Sequence, residues 1–327
     1  MFSAYWYGIV NRFQKFLSIL PLPISGLMLA TASLGILLSQ YFSSVLLIPE
    51  AGFVLQALCG TAAGILWVLL VLKAVFFFPQ IRQAFHDPVA ASVAGTFPMA
   101  MMILSVYLAD LSADFSVLFW YAGVFLHAAL IVFFTVRFVR RPKLSQVYPS
   151  WLVVYVGIVL SAITAPYFNQ IPTGQICFWF GAAALVPLLP AILVRCTQLP
   201  LSEPVRPLFC IFAAPVSIIL AGYVQSFFAH AGFVSVLLLA ETVILILVLT
   251  RLPALLRLPF YPSYAAFTFP FVVTATAYLF GIQNLVEAGF LSVWWYAVPG
   301  CVLLFAAVLV VYVSLRYASA LWKMVLQ

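Results

Sequence analysis

The sequence predicts an all-α integral membrane protein with ten transmembrane helices. Three observations carry that expectation. Of the 327 residues, 66% are hydrophobic and 6% charged; the mean hydropathy is +1.21; and the chain divides into ten apolar stretches parted by short polar breaks. A soluble domain carries about 25% charged residues, and 14 Lys+Arg with 7 Asp+Glu cannot keep 36.1 kDa in water. A soluble enzyme, a nucleic-acid binder and a disordered scaffold are therefore excluded. The formal net charge of +7 comes from basic residues scattered singly rather than gathered into a patch, so it does not point to nucleic acid. The five cysteines (Cys59, Cys177, Cys196, Cys210, Cys301) show no CxxC or His-paired spacing. They read as small apolar fillers, with no disulfide framework, metal site or cofactor indicated.

A membrane helix needs about 20 mostly apolar residues. The qualifying stretches are 17–42, 53–78, 89–109, 115–139, 151–168, 175–196, 206–228, 231–250, 263–282 and 293–316. The first carries Pro21 and Pro23 in LPLPISG and stops before LIPEAG. The second is smooth (ILWVLLVLKAVFFF) and ends at PQIRQAFHDP, where Asp87 and Pro88, with His86, read as an N-terminal cap for the third. The third holds Pro98 in GTFPMAM. The fourth (VFLHAALIVFFTV) runs into RRPKLSQVYPS. The fifth has Gly157 in VYVGIVLSA and Pro166 near its end. The sixth departs from the smooth pattern of its even-numbered neighbours, with Pro187 and Pro190. The seventh has Pro215 in FAAPVSI, the eighth is smooth (VSVLLLAETVILILVL), the ninth has Pro270 in FTFPFVV, and the tenth closes the chain. No connection is long enough for a soluble domain, and MFSAYWYGIVNRFQKF shows no small-residue cleavage site. Residues 1–327 read as one transmembrane domain.

Charge gives the orientation. With the amino terminus in the cytoplasm, all 14 Lys and Arg fall on the cytoplasmic side, Arg140, Arg141 and Lys143 among them, while the opposite connections hold Glu50, Asp110, Asp114 and Glu287. That segregation follows the positive-inside rule, supports the count of ten, and places both termini in the cytoplasm. The helices then pair as five hairpins. Proline within a span is tolerated in lipid only where neighbouring groups satisfy the freed backbone. The kinked odd helices are therefore expected inside and the smoother even helices outside, in a pseudo-five-fold arrangement.

Several residues carry candidate chemistry. No Lys or Arg lies at the middle of an odd helix, so an anion pathway there would rely on helix dipoles, hydroxyls and backbone freed at kinks. Pathway-lining and kink candidates are Ser25, Gly26, Thr96, Pro98, Gly157, Ser161, Thr164, Pro215, Ser217, Thr268 and Pro270. The bland alternative for each hydroxyl is a bond to the carbonyl one turn earlier. Glu241 and His127 are ionisable residues set within even spans. An intramembrane carboxylate costs about 2.5–3.5 kcal/mol on insertion scales, so a proton site is one reading and a buried, hydrogen-bonded structural group the other. Phe267, Phe269 and Phe271 form an alternating aromatic run that packing alone would explain. No Ser-His-Asp order, HExxH motif, phosphate loop or carboxylate pair points to an enzyme.

Five collinear segments carry a resemblance: LPISGL (22–27), FHDPVAAS (85–92), YPSWLVVYVGIV (148–159), RPLFCIFAAPVSIILAGY (206–223) and FTFPFVVTATAY (267–278). Together they resemble the tellurite-resistance/dicarboxylate transporter family, which includes the TehA proteins, fungal malate permeases, sulfite efflux pumps and the slow anion channels of plant guard cells. The resemblance implies five helical hairpins around a central pore, a homotrimer with one pore per protomer, and transport of small inorganic or organic anions across a lipid bilayer, here a bacterial cytoplasmic membrane. It also implies a phenylalanine gate on the ninth helix, which maps onto Phe269. Pro270 departs from the glycine usual in TehA proteins and matches the plant channels. A proton-coupled C4-dicarboxylate permease, or a tellurite or sulfite efflux carrier, is the alternative within the same family.

Overall fold

In hydrocarbon every backbone N–H and C=O must bond within its own segment, so a long apolar stretch folds as helix. The structure, a computed structural model of the chain, describes residues 12–140 and 143–326. Those residues form helices and turns with no strand. Ten spans are long and apolar enough to cross a membrane: α1 Ile24–Ser44, α2 Pro49–Phe76, α3 Pro88–Leu108, α4 Ala113–Val139, α5 Trp151–Phe168, α6 Ile171–Gln198, α7 Glu203–Ser226, α8 Ala231–Leu256, α9 Pro262–Glu287 and α10 Val293–Leu326. Each overlaps an expected stretch. The first begins later than the expected residue 17, because a turn at 20–23 separates α1 from a helical lead-in over 12–19. Asp87 caps α3 as anticipated, its carboxylate accepting from Ala90 N at 2.8 Å with Pro88 in the first helical turn. His86 takes no part in that cap; its Nδ1 lies against Arg82 O. Arg141, counted among the cytoplasmic charges, lies outside the described residues.

Burial separates odd from even spans. In the most apolar window of each odd span, between 67% (α1) and 100% (α9) of the residues are buried; in the even spans the share is 11–33%. The even spans turn residues such as Leu58, Val75, Phe125, Val186, Leu239 and Leu304 outward, an apolar surface suited to lipid. Each odd span packs on its following even span. The odd spans also pack on one another in the order α1, α3, α5, α7, α9, and α9 returns to α1. The lead-in helix and the end of α10 lie at the same end of the bundle, since Lys15 Nζ donates to Val325 O at 3.3 Å.

The odd spans are interrupted, α1 just before its start and α3, α5, α7 and α9 within their length, but not by proline bending a continuous helix. Pro23 stands at the N-cap of α1, Pro98 in the first turn of Thr96–Leu108 after a break at 94–95, Pro215 in the first turn of Ala214–Ser226, and Pro270 in the first turn of Phe269–Glu287. Proline costs little there, because those N–H groups lack an intrahelical partner anyway. The preceding halves of α7 and α9 are 3₁₀ helix (Glu203–Ala213 and Pro262–Phe267), and α5 passes through a 3₁₀ turn at Gly157–Val159. By contrast α6 stays one helix through Pro187 and Pro190. Even spans reach inward to satisfy carbonyls near the breaks and the ends of the odd segments. Lys73 Nζ donates to Leu17 O (2.9 Å) and Ser18 O (2.8 Å), His127 Nε2 lies 2.9 Å from Val154 O, and Tyr317 donates to Pro262 O.

Candidate functional site

The five breaks meet around one axial cavity of about 270 Å³. Its walls come from all five odd spans or the residues that lead into them: Pro23 and Gly26 at the start of α1, Val93, Thr96 and Met99 of α3, Val156 and Gly157 of α5, Ile211 and Pro215 of α7, and Ala266, Phe269 and Pro270 of α9. Asp87, Pro204, Tyr261 and Ser263 form its mouth, at the end of the bundle where the basic connections lie. No Lys or Arg lines it; Asp87 is the one charged side chain in its wall among the described residues.

A second, smaller cavity of about 30 Å³ lies on the opposite side of Phe269, lined by Ser33, Gln40, Thr164, Tyr167, Val273 and Thr276 among others. Phe269 is the one described residue that lines both cavities, and it is 7% exposed. It opens the second segment of α9, directly after Thr268, whose φ of −112° and ψ of −81° lie outside the helical region. The ring therefore projects from the point where α9 changes from 3₁₀ to α winding. Its neighbours point elsewhere. Phe267 is fully buried edge-on to Tyr264 at 4.9 Å, and Phe271 is fully buried edge-on to Phe305 at 5.4 Å.

Apart from the Asp87 carboxylate, the larger cavity has no charged side chain in its wall among the described residues, and helix starts reach its surface. The segments beginning at Ile24, Thr96, Ala214 and Phe269 all start at its surface, and none has a side-chain cap. A helix start carries partial positive charge from aligned peptide dipoles and first-turn N–H groups. The first-turn N–H groups of Ile24, Ser25, Gly26, Phe97 and Phe271 already bond carbonyls of the preceding turn at 2.9–3.1 Å, so what these starts present to the cavity is the aligned peptide dipole rather than free donors.

Of the residues singled out from sequence, Gly26, Thr96, Gly157, Pro215 and Pro270 line the larger cavity with Phe269, and Thr164 lines the smaller. The others lie elsewhere, which corrects the lining expectation for them. Ser25 and Pro98 face a separate apolar cavity between α1, α2, α3 and α4. Ser161, Ser217 and Thr268 line neither axial cavity; each donates to a carbonyl three or four residues back, Ile158 O at 2.8 Å, Ala213 O at 3.0 Å and Ala265 O at 2.6 Å. Thr96 does likewise to Val93 O at 2.8 Å, and its oxygen also meets Ser25 Oγ at 2.7 Å. Thr164 Oγ1 accepts from Trp120 Nε1 at 2.8 Å. Glu241 and His127 are fully buried and line neither cavity. Sequence reasoning missed Ser33, Gln40, Tyr167 and Thr276. One signal was present: Gly26, Ser33 and Gln40 recur every seven residues, which keeps them on one face of α1.

No curated protein matches the chain. A family model described as voltage-dependent anion channel, SLAC1, matches residues 20–316. That match spans nearly all of the described spans, from before α1 into α10. With ten helices long and apolar enough to cross a membrane, the chain belongs to the voltage-dependent anion channel (SLAC1) family.

Proposed function

We propose that the chain passes small anions along the axis of its five odd spans, from the larger cavity past Phe269 into the smaller one, with the Phe269 ring as the gate. The observation that carries this reading is that Phe269 is shared by both cavities. An aromatic ring across a narrow neutral path bars ions by size and by dewetting, and its displacement opens the path without any charged partner. The helix starts on the larger cavity supply the attraction for anions. The absence of a cation from its described walls lets the ion leave again. The resemblance supports a homotrimer of single-domain protomers. The basic connections support a cytoplasmic location for both termini, in a bacterial cytoplasmic membrane.

A second reading rests on Glu241. It is fully buried, with Oε1 accepting from Thr274 Oγ1 at 3.1 Å and Oε2 without a partner among the described residues. A carboxylate in that position suits a proton-coupled carrier of C4-dicarboxylates such as malate, or a tellurite or sulfite efflux carrier. Flux from liposomes with an anion panel, recorded against voltage and against a proton gradient, tests both. Voltage-driven flux of small anions supports the channel, whereas uptake that requires the proton gradient supports the carrier. Absence of anion flux under either force would contradict the proposal.

A further inference from the structure

Between α2 and α4 the outer wall of the bundle is open. A crevice of about 340 Å³ lies there, with Leu70 and Ala74 of α2 on one side and Leu126, Ala129 and Phe133 of α4 on the other. Ala74, Leu126, Ala129 and Phe133 are exposed, so the space opens outward between the two helices. One turn before Leu70, Trp67 packs on Phe119 at 5.3 Å and on Phe97 at 6.3 Å, which joins α2 to α4 and ends the opening on that side. Ser25 brings the one polar side chain to the lining among the described residues. Its hydroxyl is already committed to Leu22 O at 2.8 Å and Thr96 Oγ1 at 2.7 Å. Nothing in the lining therefore calls for a polar ligand. An apolar crevice facing lipid gains dispersion contacts only when hydrocarbon fills it.

The other end of the crevice carries cations. Ile81 and Phe85 line it there, from the short helix Phe78–Ala84 and its exit, with Phe85 edge-on to Phe133 at 5.6 Å. Arg82 and His86 each follow one of these two residues and line a shallow hollow of their own with Phe78 and Pro79. Arg137 follows Phe133 by one turn of α4, and Arg82, His86 and Arg137 are all exposed. Asp87, the neighbouring carboxylate, is held by Ala90 N as the cap of α3. From Leu126 to Arg137 the helix rises about 16 Å, close to half of a hydrocarbon core about 30 Å thick. A chain lying in the crevice thus ends where headgroups begin, beside guanidinium groups.

We propose that this crevice binds an anionic phospholipid, with one acyl chain between α2 and α4 and the phosphate at Arg82 and Arg137. The chain would lie against Ser25 and Pro98, behind the segment of α3 whose Thr96 lines the larger axial cavity. Charge favours lipid over a second copy of the protein as the occupant. A copy standing parallel in the membrane would bring its own basic connections to the same rim, whereas an anionic headgroup offsets the charge already there.

The test melts the purified full chain in neutral detergent with added phosphatidylglycerol or phosphatidylcholine at equal mole fraction. Ligand that binds the folded state raises the melting temperature. Phosphatidylglycerol should stabilise the wild type well beyond phosphatidylcholine. In Arg82→Gln/Arg137→Gln the half-effective fraction of phosphatidylglycerol should rise about ten-fold or more, as two cations near a lipid surface are lost. Arg251→Gln/Arg257→Gln removes the same charge from another basic connection and should respond as the wild type does. Ala129→Trp fills the crevice from an exposed position and should lose most of the phosphatidylglycerol response. Its melting point without lipid checks its folding, and the exposed arginine pair tests the site independently. Equal effects of the two lipids on the wild type, an equal loss in the control pair, or a full response in folded Ala129→Trp would overturn the proposal. Stabilisation by free glycerol phosphate to the same extent would also overturn it, since the headgroup alone would then account for binding. So would a second copy in the crevice, seen as dissociation of Ala129→Trp in light scattering while phosphatidylglycerol leaves the wild type unmoved.

Discussion

Thr274 donates a hydrogen bond to Glu241 across the contact between α9 and α8, with Oγ1 3.1 Å from Oε1. The same hydroxyl lies 2.8 Å from Pro270 O and 3.1 Å from Ala213 O. One proton thus has three acceptors, and two of them are carbonyls at the breaks of α9 and α7. Ser217 joins the cluster, 3.1 Å from Thr274 Oγ1 and 3.0 Å from Ala213 O. A proton on Glu241 would release the Thr274 proton to those carbonyls, of which Pro270 O is one residue away from Phe269 along the chain. The buried carboxylate is thereby tied to the part of α9 that holds the ring.

Glu241→Gln keeps the size of the side chain and fixes it as neutral. If Glu241 carries a transported proton, this variant should abolish pH-driven malate accumulation in liposomes while leaving passive anion leak. An unchanged pH dependence would leave Glu241 a structural partner of Thr274. Glu241→Ala strands the Thr274 and Ser217 hydroxyls less than it empties the space beside them, and should lower stability by about 2–3 kcal/mol in thermal unfolding.

Lys73 is 5% exposed and holds the carbonyls of Leu17 and Ser18, with Gln80 Oε1 at 3.1 Å as a third partner. Lys73→Met preserves the apolar stem but leaves Ser18 O unpaired and Leu17 O with only the long contact from Leu20 N at 3.4 Å. A loss of about 1–3 kcal/mol is expected, together with faster proteolysis near 20–23. Equal melting and protease resistance in the variant would show that the lead-in helix does not depend on this contact.

Gly35 tests the grip of α2 and α3 on α1. A Cβ there would run into the Tyr107 hydroxyl, Cys59 Cβ at 2.6 Å and Gln56 O at 3.2 Å. Gly35→Ala should therefore cost about 1–3 kcal/mol through overpacking. Gly64, where an added methyl would meet nothing within 4 Å, supplies the contrast, since Gly64→Ala should stay within about 0.5 kcal/mol. Detergent melting curves of the two variants give the comparison directly.

Much of this fold was legible because lipid enforces simple rules. Apolar length marked all ten spans, and the alternation of interrupted and smooth spans marked which lie inside. Two inferences about the inner spans did not carry through. Pro98, Pro215 and Pro270 begin new helical segments rather than bending old ones, a distinction that depends on the winding of residues before them. Ser161, Ser217 and Thr268 sit on inner spans yet bond their own helices, because a hydroxyl in lipid takes the nearest carbonyl unless something draws it away. Ser33 is the exception, and its hydropathy gives no hint of that; only the absence of a bond within α1 distinguishes it from Ser25 eight residues earlier. The even-span donors Lys73 and Tyr317 were also hidden, since their partners are backbone atoms distant in sequence.

The central claim is that the Phe269 ring closes the axial path. Phe269→Ala removes that ring from between two existing cavities, so it should join them with little loss of packing. Phe267→Ala and Phe271→Ala, by contrast, truncate fully buried rings and should cost about 3–5 kcal/mol without opening anything. The decisive measurement is anion current through the purified protein in planar bilayers. Phe269→Ala is predicted to raise it severalfold or more over the wild type, while the two neighbouring variants show no increase. A folded Phe269→Ala protein whose current is no greater than the wild type's would contradict the account.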